Sequence, residues 1–316
     1  MGKSRGKPAE AVAQIERIPP MKKRISSETA GVRGAEEAIR ALHRFGQHFL
    51  VDRNVLAEIV ERSAAGPGDT VLEVGPGQGV LTRALLEREI DCLHAVELDE
   101  RMKPGLEALA AWEPRLKLHW GDALRLDYPA ELVPFPSKVV ANIPYNITTP
   151  LIWQLLAFAR LGLTYHLYMV QKEAADRLAA PADTRERYPL GVTLEVMGAV
   201  ARVRKVPASC FRPAPRVESA LVEIVIQRHH ELTCDPLWSE LLHRAFAHRR
   251  KTLLNNLKGF RGPEDWAGFL AGAGVDPRAR AEDLEGDVWL ALYHALKKQF
   301  RAETMMGKGS ATCRIV

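Results

Sequence analysis

Cysteine is scarce in this sequence. Cys92, Cys210, Cys234 and Cys313 are scattered, with neither paired nor metal-ligand spacing. That usage argues against a zinc site, predicts no bound metal, and suits a reducing compartment, so a cytoplasmic location is expected. Long apolar runs are also missing. No stretch approaches the roughly 18 apolar residues that a membrane helix needs, so no membrane partner is expected. The start, Met1-Gly2-Lys3-Ser4-Arg5, stays polar and leads into no apolar segment, so no secretory signal is predicted. No internal repeat is visible.

What remains is the composition of a soluble globular protein, with 47% hydrophobic and 26% charged residues. Its 316 residues suffice for two domains. The net charge of +5 is unevenly spread. Positive charge gathers in residues 1–44, and again between Leu241 and Gly262, where no acidic residue occurs. Both blocks could meet a polyanion or simply face solvent.

Residues 1–40, with Pro19-Pro20 and Lys22-Lys23-Arg24, lack hydrophobic periodicity and are predicted to be a basic, disordered extension. A short helix is expected near Ala35. A first domain is placed at 41–228. It opens with a helix after Asp52 that Gly66-Pro67-Gly68 ends, and strands then alternate with helices. Strands are predicted at 70–74, 92–98, 116–120, 137–141 and 165–170, with two more at 200–206 and 220–226. Helices are expected from the glycine turn through about Glu89, from Glu100, from Thr149-Pro150 and after Gln171. This alternation predicts an α/β fold with a parallel, doubly wound sheet. From 229 to 302 only helical patterns occur, at 237–247, 251–258, 263–272 and 284–300, which predicts a small all-helical domain. Residues 303–316 are read as a disordered tail.

Ligands of open α/β sheets bind beyond the carboxyl ends of the strands. Glu73-Val74-Gly75-Pro76-Gly77-Gln78-Gly79 is a glycine-rich turn after the first of those strands. Glu97 ends the next, where a carboxylate suits ribose hydroxyls. Asp122 ends the third, where it can accept a hydrogen bond from an adenine amine. A dinucleotide-binding turn shares this scheme. It requires a third small residue, however, and position 80 is Val. The pattern favours a nucleoside without a pyrophosphate, such as S-adenosylmethionine, over NAD.

Asn142-Ile143-Pro144-Tyr145 closes the fourth strand. An adenine amine is a poor nucleophile because its lone pair is delocalised into the ring. Two acceptors aimed at N6, the Asn142 side-chain carbonyl and the backbone carbonyl of Ile143 or Pro144, favour its pyramidal form. Tyr145 offers a flat face for the base, worth about 1–3 kcal/mol. No strong general base is required. As an isolated tetrapeptide the segment would read as a turn. Phe211 is a second aromatic candidate: it either sandwiches the base against Tyr145 or anchors the core under a rigid loop.

Seven segments occur in one order: Arg44-Phe45-Gly46-Gln47-His48-Phe49-Leu50, Glu73-Val74-Gly75-Pro76-Gly77, Val96-Glu97-Leu98-Asp99, Gly121-Asp122-Ala123, Asn142-Ile143-Pro144-Tyr145-Asn146-Ile147, Gln171-Lys172-Glu173 and Phe211-x-Pro-x-Pro-x-Val217. As an ordered set they resemble the ribosomal RNA adenine dimethyltransferase family, over about residues 40–300, and most of all its bacterial small-subunit branch. The resemblance implies a Rossmann-like domain that uses S-adenosylmethionine, followed by a small helical domain. It implies N6,N6-dimethylation of two adjacent adenines near the 3′ end of small-subunit ribosomal RNA. The expected partner is that RNA in a pre-ribosomal particle, met by a monomer. By the same resemblance His48, Leu50, Gly75 and Gly77 line the cofactor site, Glu97 holds the ribose, Asp122 holds the cofactor adenine, and Asn142 touches cofactor and target. Many relatives carry Asn where this chain has His48. Ala245-Phe246-Ala247-His248-Arg249-Arg250-Lys251-Thr252-Leu253 resembles a basic segment of the family, so Arg249, Arg250 and Lys251 are expected to meet RNA phosphate. Three other readings stay open: a large-subunit adenine dimethylase, an assembly factor whose binding outweighs its catalysis, and an NAD-dependent oxidoreductase.

Overall fold

The computed structural model describes residues 48–228 and 231–305. The expected extension, the helix near Ala35 and residues 306–316 of the expected tail lie outside the described residues. In chain order the elements begin with β1 (Phe49–Leu50), α1 (Arg53–Arg62), β2 (Thr70–Val74), α2 (Val80–Leu86) and β3 (Cys92–Glu97). Next come α3 (Lys103–Trp112), β4 (Leu116–Trp120), α4 (Tyr128–Glu131), β5 (Lys138–Asn142), α5 (Thr148–Leu156) and β6 (Tyr165–Gln171). Then follow α6 (Lys172–Leu178), α7 (Pro189–Met197), β7 (Gly198–Val206), β8 (Phe211–Arg212) and β9 (Ser219–Ile226). The chain closes with α8 (Pro236–Ala245), α9 (Leu253–Leu257), α10 (Trp266–Gly272) and α11 (Gly286–Met305).

Seven strands form one sheet in the order β4-β3-β2-β5-β6-β9-β7. The first five run parallel, while β9 is antiparallel to both β6 and β7. The sheet is therefore mixed at one edge rather than parallel throughout, because β7 returns through β8 to β9 without a crossover helix. Strand alternation feeds two cores, one on each face. Val71, Val140, Leu167 and Met169 join α1 and α2 residues such as Val55, Ile59 and Leu85. Leu72, Val139, Ala141, Tyr168 and Val170 point the other way. That second core continues without a break into the C-terminal helices through Trp238, Leu242, Leu257, Trp289 and Leu296.

Asp52 caps α1, accepting from the backbone N–H groups of Asn54 and Val55 at 2.8 and 3.0 Å. Several boundaries differ from the sequence reading. α1 stops at Arg62, ahead of the Gly66-Pro67-Gly68 segment expected to end it. α2 ends at Leu86 rather than near Glu89, and residues 100–102 form a 3-10 turn before α3. α5 begins at Thr148, so Pro150 is its third residue rather than its first. α7 has no counterpart among the predicted helices. Seven of its residues, from Leu190 to Met197, are buried, so it has no polar stripe to reveal a helical period.

Candidate functional site

The functional candidates meet at the carboxyl ends of β2, β3, β4 and β5. The turn after β2 needs its glycines: Gly75 and Gly77 have φ of +73° and +54°, a region costly for side-chain-bearing residues. A Cβ on Gly77 would stand 2.8 Å from the Phe49 ring. A Cβ on Gly75 would meet the Pro144 ring at 3.5 Å. The bare turn thus lets β1, the turn and the Asn142–Tyr145 segment, the expected acceptor loop, close around two adjoining hollows that share Gly75, Glu97 and Pro144.

The first hollow, about 430 Å³, is also lined by His48, Phe49, Gly77, Asn142, Ile143 and Tyr145. The second, about 610 Å³, adds Val96, Leu98, Asp99, Gly121, Asp122, Asn146 and Ile147. Glu97, at 5% exposure, sits at their junction. Its Oε2 accepts from Gly77 N–H at 2.9 Å and its Oε1 from Asp99 N–H at 2.8 Å. Each oxygen keeps a second lone pair for a hydroxyl. Burial pushes this carboxyl up, while the two N–H bonds favour its ionised form. Asp122 accepts from Leu124 N–H at 2.9 Å, which turns its carboxylate at the strand end.

At the acceptor loop, Asn142 ends β5 and its Nδ2 donates to the His48 carbonyl at 3.1 Å. A carbonyl can only accept, so this bond fixes the amide and leaves Oδ1 as a free acceptor. The Tyr145 hydroxyl is tied to Ser219 Oγ at 2.7 Å, and burial raises it above the ordinary tyrosine range. The His48 ring lies over that of Tyr145, with centroids 5.6 Å apart and planes at 28°. His48 Nδ1 bonds the Pro213 carbonyl at 2.8 Å. Ser219 belongs to no motif in the sequence reading, and the Phe211-x-Pro-x-Pro-x-Val217 segment that contains Pro213 gives no sign of a contact with His48. Only the folded chain shows them bracing the site.

β1 pairs antiparallel with β8, setting Leu50 opposite Phe211 and Phe49 opposite Arg212. This places Phe211 in the core at 0% exposure, beside Leu50, Val206 and Leu221. With both ring faces packed, Phe211 stands as a core anchor here and not as a stacking platform. Leu50 is likewise buried and lines neither hollow; Phe49 stands there instead. Arg249, Arg250 and Lys251 occupy an exposed turn between α8 and α9; α9 starts at Leu253, so Lys251, expected to open a helix over 251–258, lies ahead of it. They make no ion pair with any other described residue, whereas Arg261 nearby pairs with Glu240 at 2.7 Å. Among the described residues no group of His, Cys, Asp and Glu is placed to hold a metal ion. Among them, too, no helix is long and apolar enough to cross a membrane.

Residues 39–298 match the profile of a family described as Ribosomal RNA adenine dimethylase. The chain is 42% identical over 247 residues to the ribosomal RNA small subunit methyltransferase A of Laribacter hongkongensis, covering 76% of this chain and 90% of that one. It is 41% identical over 271 residues to the protein of the same name from Thermosynechococcus vestitus, covering 82% and 98%. Among solved structures, a dimethyladenosine transferase from Plasmodium falciparum superposes with a TM-score of 0.70 at 25% identity, covering 80% of this chain and 98% of that one. The 23S rRNA methyltransferase ErmE gives a TM-score of 0.59 at 25% identity, covering 79% and 99%.

Proposed function

The chain belongs to the ribosomal RNA adenine dimethylase family, and from that premise we propose that it transfers methyl groups from S-adenosylmethionine to N6 of two adjacent adenines near the 3′ end of small-subunit (16S) ribosomal RNA. The single observation that carries the chemistry is the fixed amide of Asn142, which leaves Oδ1 free to accept at a hollow that Tyr145 also lines.

The methyl donor fits the residues present. The open glycine turn admits its methionine part, the free lone pairs of Glu97 suit its ribose, and Asp122 suits its adenine amine. When bound, the donor supplies an electrophilic methyl group on a positively charged sulfonium. Asn142 Oδ1 and the carbonyl of Ile143 or Pro144 accept from the target N6–H groups and hold its lone pair toward the first hollow. Tyr145, with its hydroxyl tied to Ser219 and one face under His48, offers its other face to the base. Orientation and desolvation supply most of the rate. The proton released from N6 after transfer goes to water, because Glu97, the carboxylate that lines the first hollow, is engaged by two backbone N–H groups. Arg249, Arg250 and Lys251, on their exposed turn, meet RNA phosphate.

Labelled S-adenosylmethionine offered with undermethylated small and large subunits, followed by mapping of the modified bases, tests this reading. Dimethylation of an adjacent adenine pair in the small subunit is expected. Label confined to the large subunit would instead assign the chain to the ErmE-like activity.

A further inference from the structure

A third hollow lies away from the methyl-transfer site. α5 starts at the acceptor loop and carries Trp153 on one flank of this groove. Arg177 near the end of α6 and Tyr188 before α7 form another flank. His243 and Phe246 from the end of α8, with Arg249 from the turn after it, complete the groove, a solvent-open space of about 820 Å³.

Its lining has a definite chemistry. Trp153, Tyr188 and Phe246 are partly exposed aromatics, so each shows ring surface to the groove. The Arg177 guanidinium lies 4.3 Å over the Tyr188 ring, and the rings of Trp153 and His243 are 6.0 Å apart at 35°. Arg177 and Arg249 are exposed, and neither makes an ion pair with any other described residue. Among the described residues no carboxylate lines the groove. Two unneutralised guanidinium groups call for an anion. Flat ring surfaces between them call for a planar group to stack. A single-stranded nucleotide carries both, whereas a paired base keeps its faces stacked inside the duplex.

We propose that this groove holds a nucleotide that flanks the target adenine in the RNA strand. The inference rests on the reading of the chain as an RNA methyltransferase. The base stacks on Trp153, since Arg177 already covers the Tyr188 ring, and the phosphates lie between Arg177 and Arg249. Trp153 is eight residues beyond Tyr145, about 12 Å along a helical path. A strand whose target base lies on Tyr145 therefore reaches Trp153 through its near neighbours.

The test uses the full chain and the substitutions Arg177→Gln and Trp153→Leu. Binding of a short adenine-containing single-stranded oligoribonucleotide, of its duplex and of a polyglutamate peptide is measured, with kcat and KM on undermethylated small subunits. Either substitution is expected to weaken single-strand binding about tenfold and to raise KM rather than lower kcat. The single strand should also quench a tryptophan signal that Trp153→Leu lacks. Since Arg177 is exposed, its variant reports on the groove even if Trp153→Leu folds poorly. Unchanged single-strand affinity and KM in Arg177→Gln would overturn the proposal. So would an equal loss of duplex binding, or a peptide that outcompetes the oligonucleotide. If the wild type fails to methylate small subunits while both variants still lose single-strand affinity, the methyltransferase reading fails and the groove assignment stands.

Discussion

Asn142 has one degree of freedom that matters, the flip of its amide, and the His48 carbonyl removes it. Replacing it by Ala should lower kcat about 100-fold or more, as the loss of a preorganised hydrogen-bonding group does elsewhere. Cofactor affinity should fall far less, since Glu97 and the glycine turn are untouched. Isothermal titration with S-adenosylmethionine alongside turnover separates the two, and near-normal turnover would remove Asn142 from the acceptor site. A second prediction concerns Glu73. It is 1% exposed and its Oε2 has no hydrogen-bond partner among the described residues. Burial, with the Glu97 charge adding to it, raises this carboxyl from 4.5 to about 8. A raised acid favours the fold most below the unfolded value, and that advantage is lost as pH climbs through the folded one. The neutral variant Glu73→Gln has no such dependence. Its Tm relative to the wild type should therefore improve steadily as pH rises from 4.5 to about 8. A difference that stays flat across that window would show that Glu73 does not titrate on unfolding.

At the scale of elements, legibility follows the length and period of each pattern. β2 and β4 are readable to their observed limits because turn residues bound a continuous apolar or alternating run. Asn142 falls at a readable strand end for the same reason. The β1–β8 ladder is invisible in the sequence: each strand has two residues, too few to carry a period, and they meet across most of the domain. That hidden pairing is what buries Phe211 and brings His48 over Tyr145. The C-terminal helices are legible as helices, but not how they are tied. Asp235 caps α8 through Leu237 N–H at 3.0 Å and also accepts from the Tyr293 hydroxyl and Lys297 Nζ of α11, both at 2.6 Å. Burial opposes its charge, yet the bonds from Lys297 and Tyr293 hold its carboxyl below the ordinary aspartate value. Asp235→Ala removes a cap and a cross-helix bond together and should cost about 1–3 kcal/mol. Urea unfolding measures it, and an unchanged midpoint would mean solvent replaces the network at no cost. Since the folded carboxyl is depressed, this stabilisation is present above the unfolded aspartate value and is lost as pH falls through the folded one.

Over the whole molecule, catalysis and recognition are separated in space and in kind of force. The methyl-transfer crevice is lined by backbone groups, the amides of Asn142 and Asn146, and carboxylates of which Glu97 and Asp99 are buried, so its hydrogen bonds are short-ranged and weakly screened. Recognition of a polyanion depends on exposed charge, which salt screens within about 8–10 Å. Arg249, Arg250 and Lys251 are exposed charges on a turn and have no ion-pair partner among the described residues. Their replacement by Gln disturbs neither helix ladder nor core. The plot of log affinity against log salt for the RNA should therefore flatten by about one unit for each phosphate that the turn no longer neutralises. S-adenosylmethionine affinity should stay unchanged, because none of the three lines the crevice. A flattened slope with intact cofactor binding would place the electrostatic anchor on this turn. An unaltered slope would leave the turn a solvated surface and assign phosphate neutralisation to other cations of the chain.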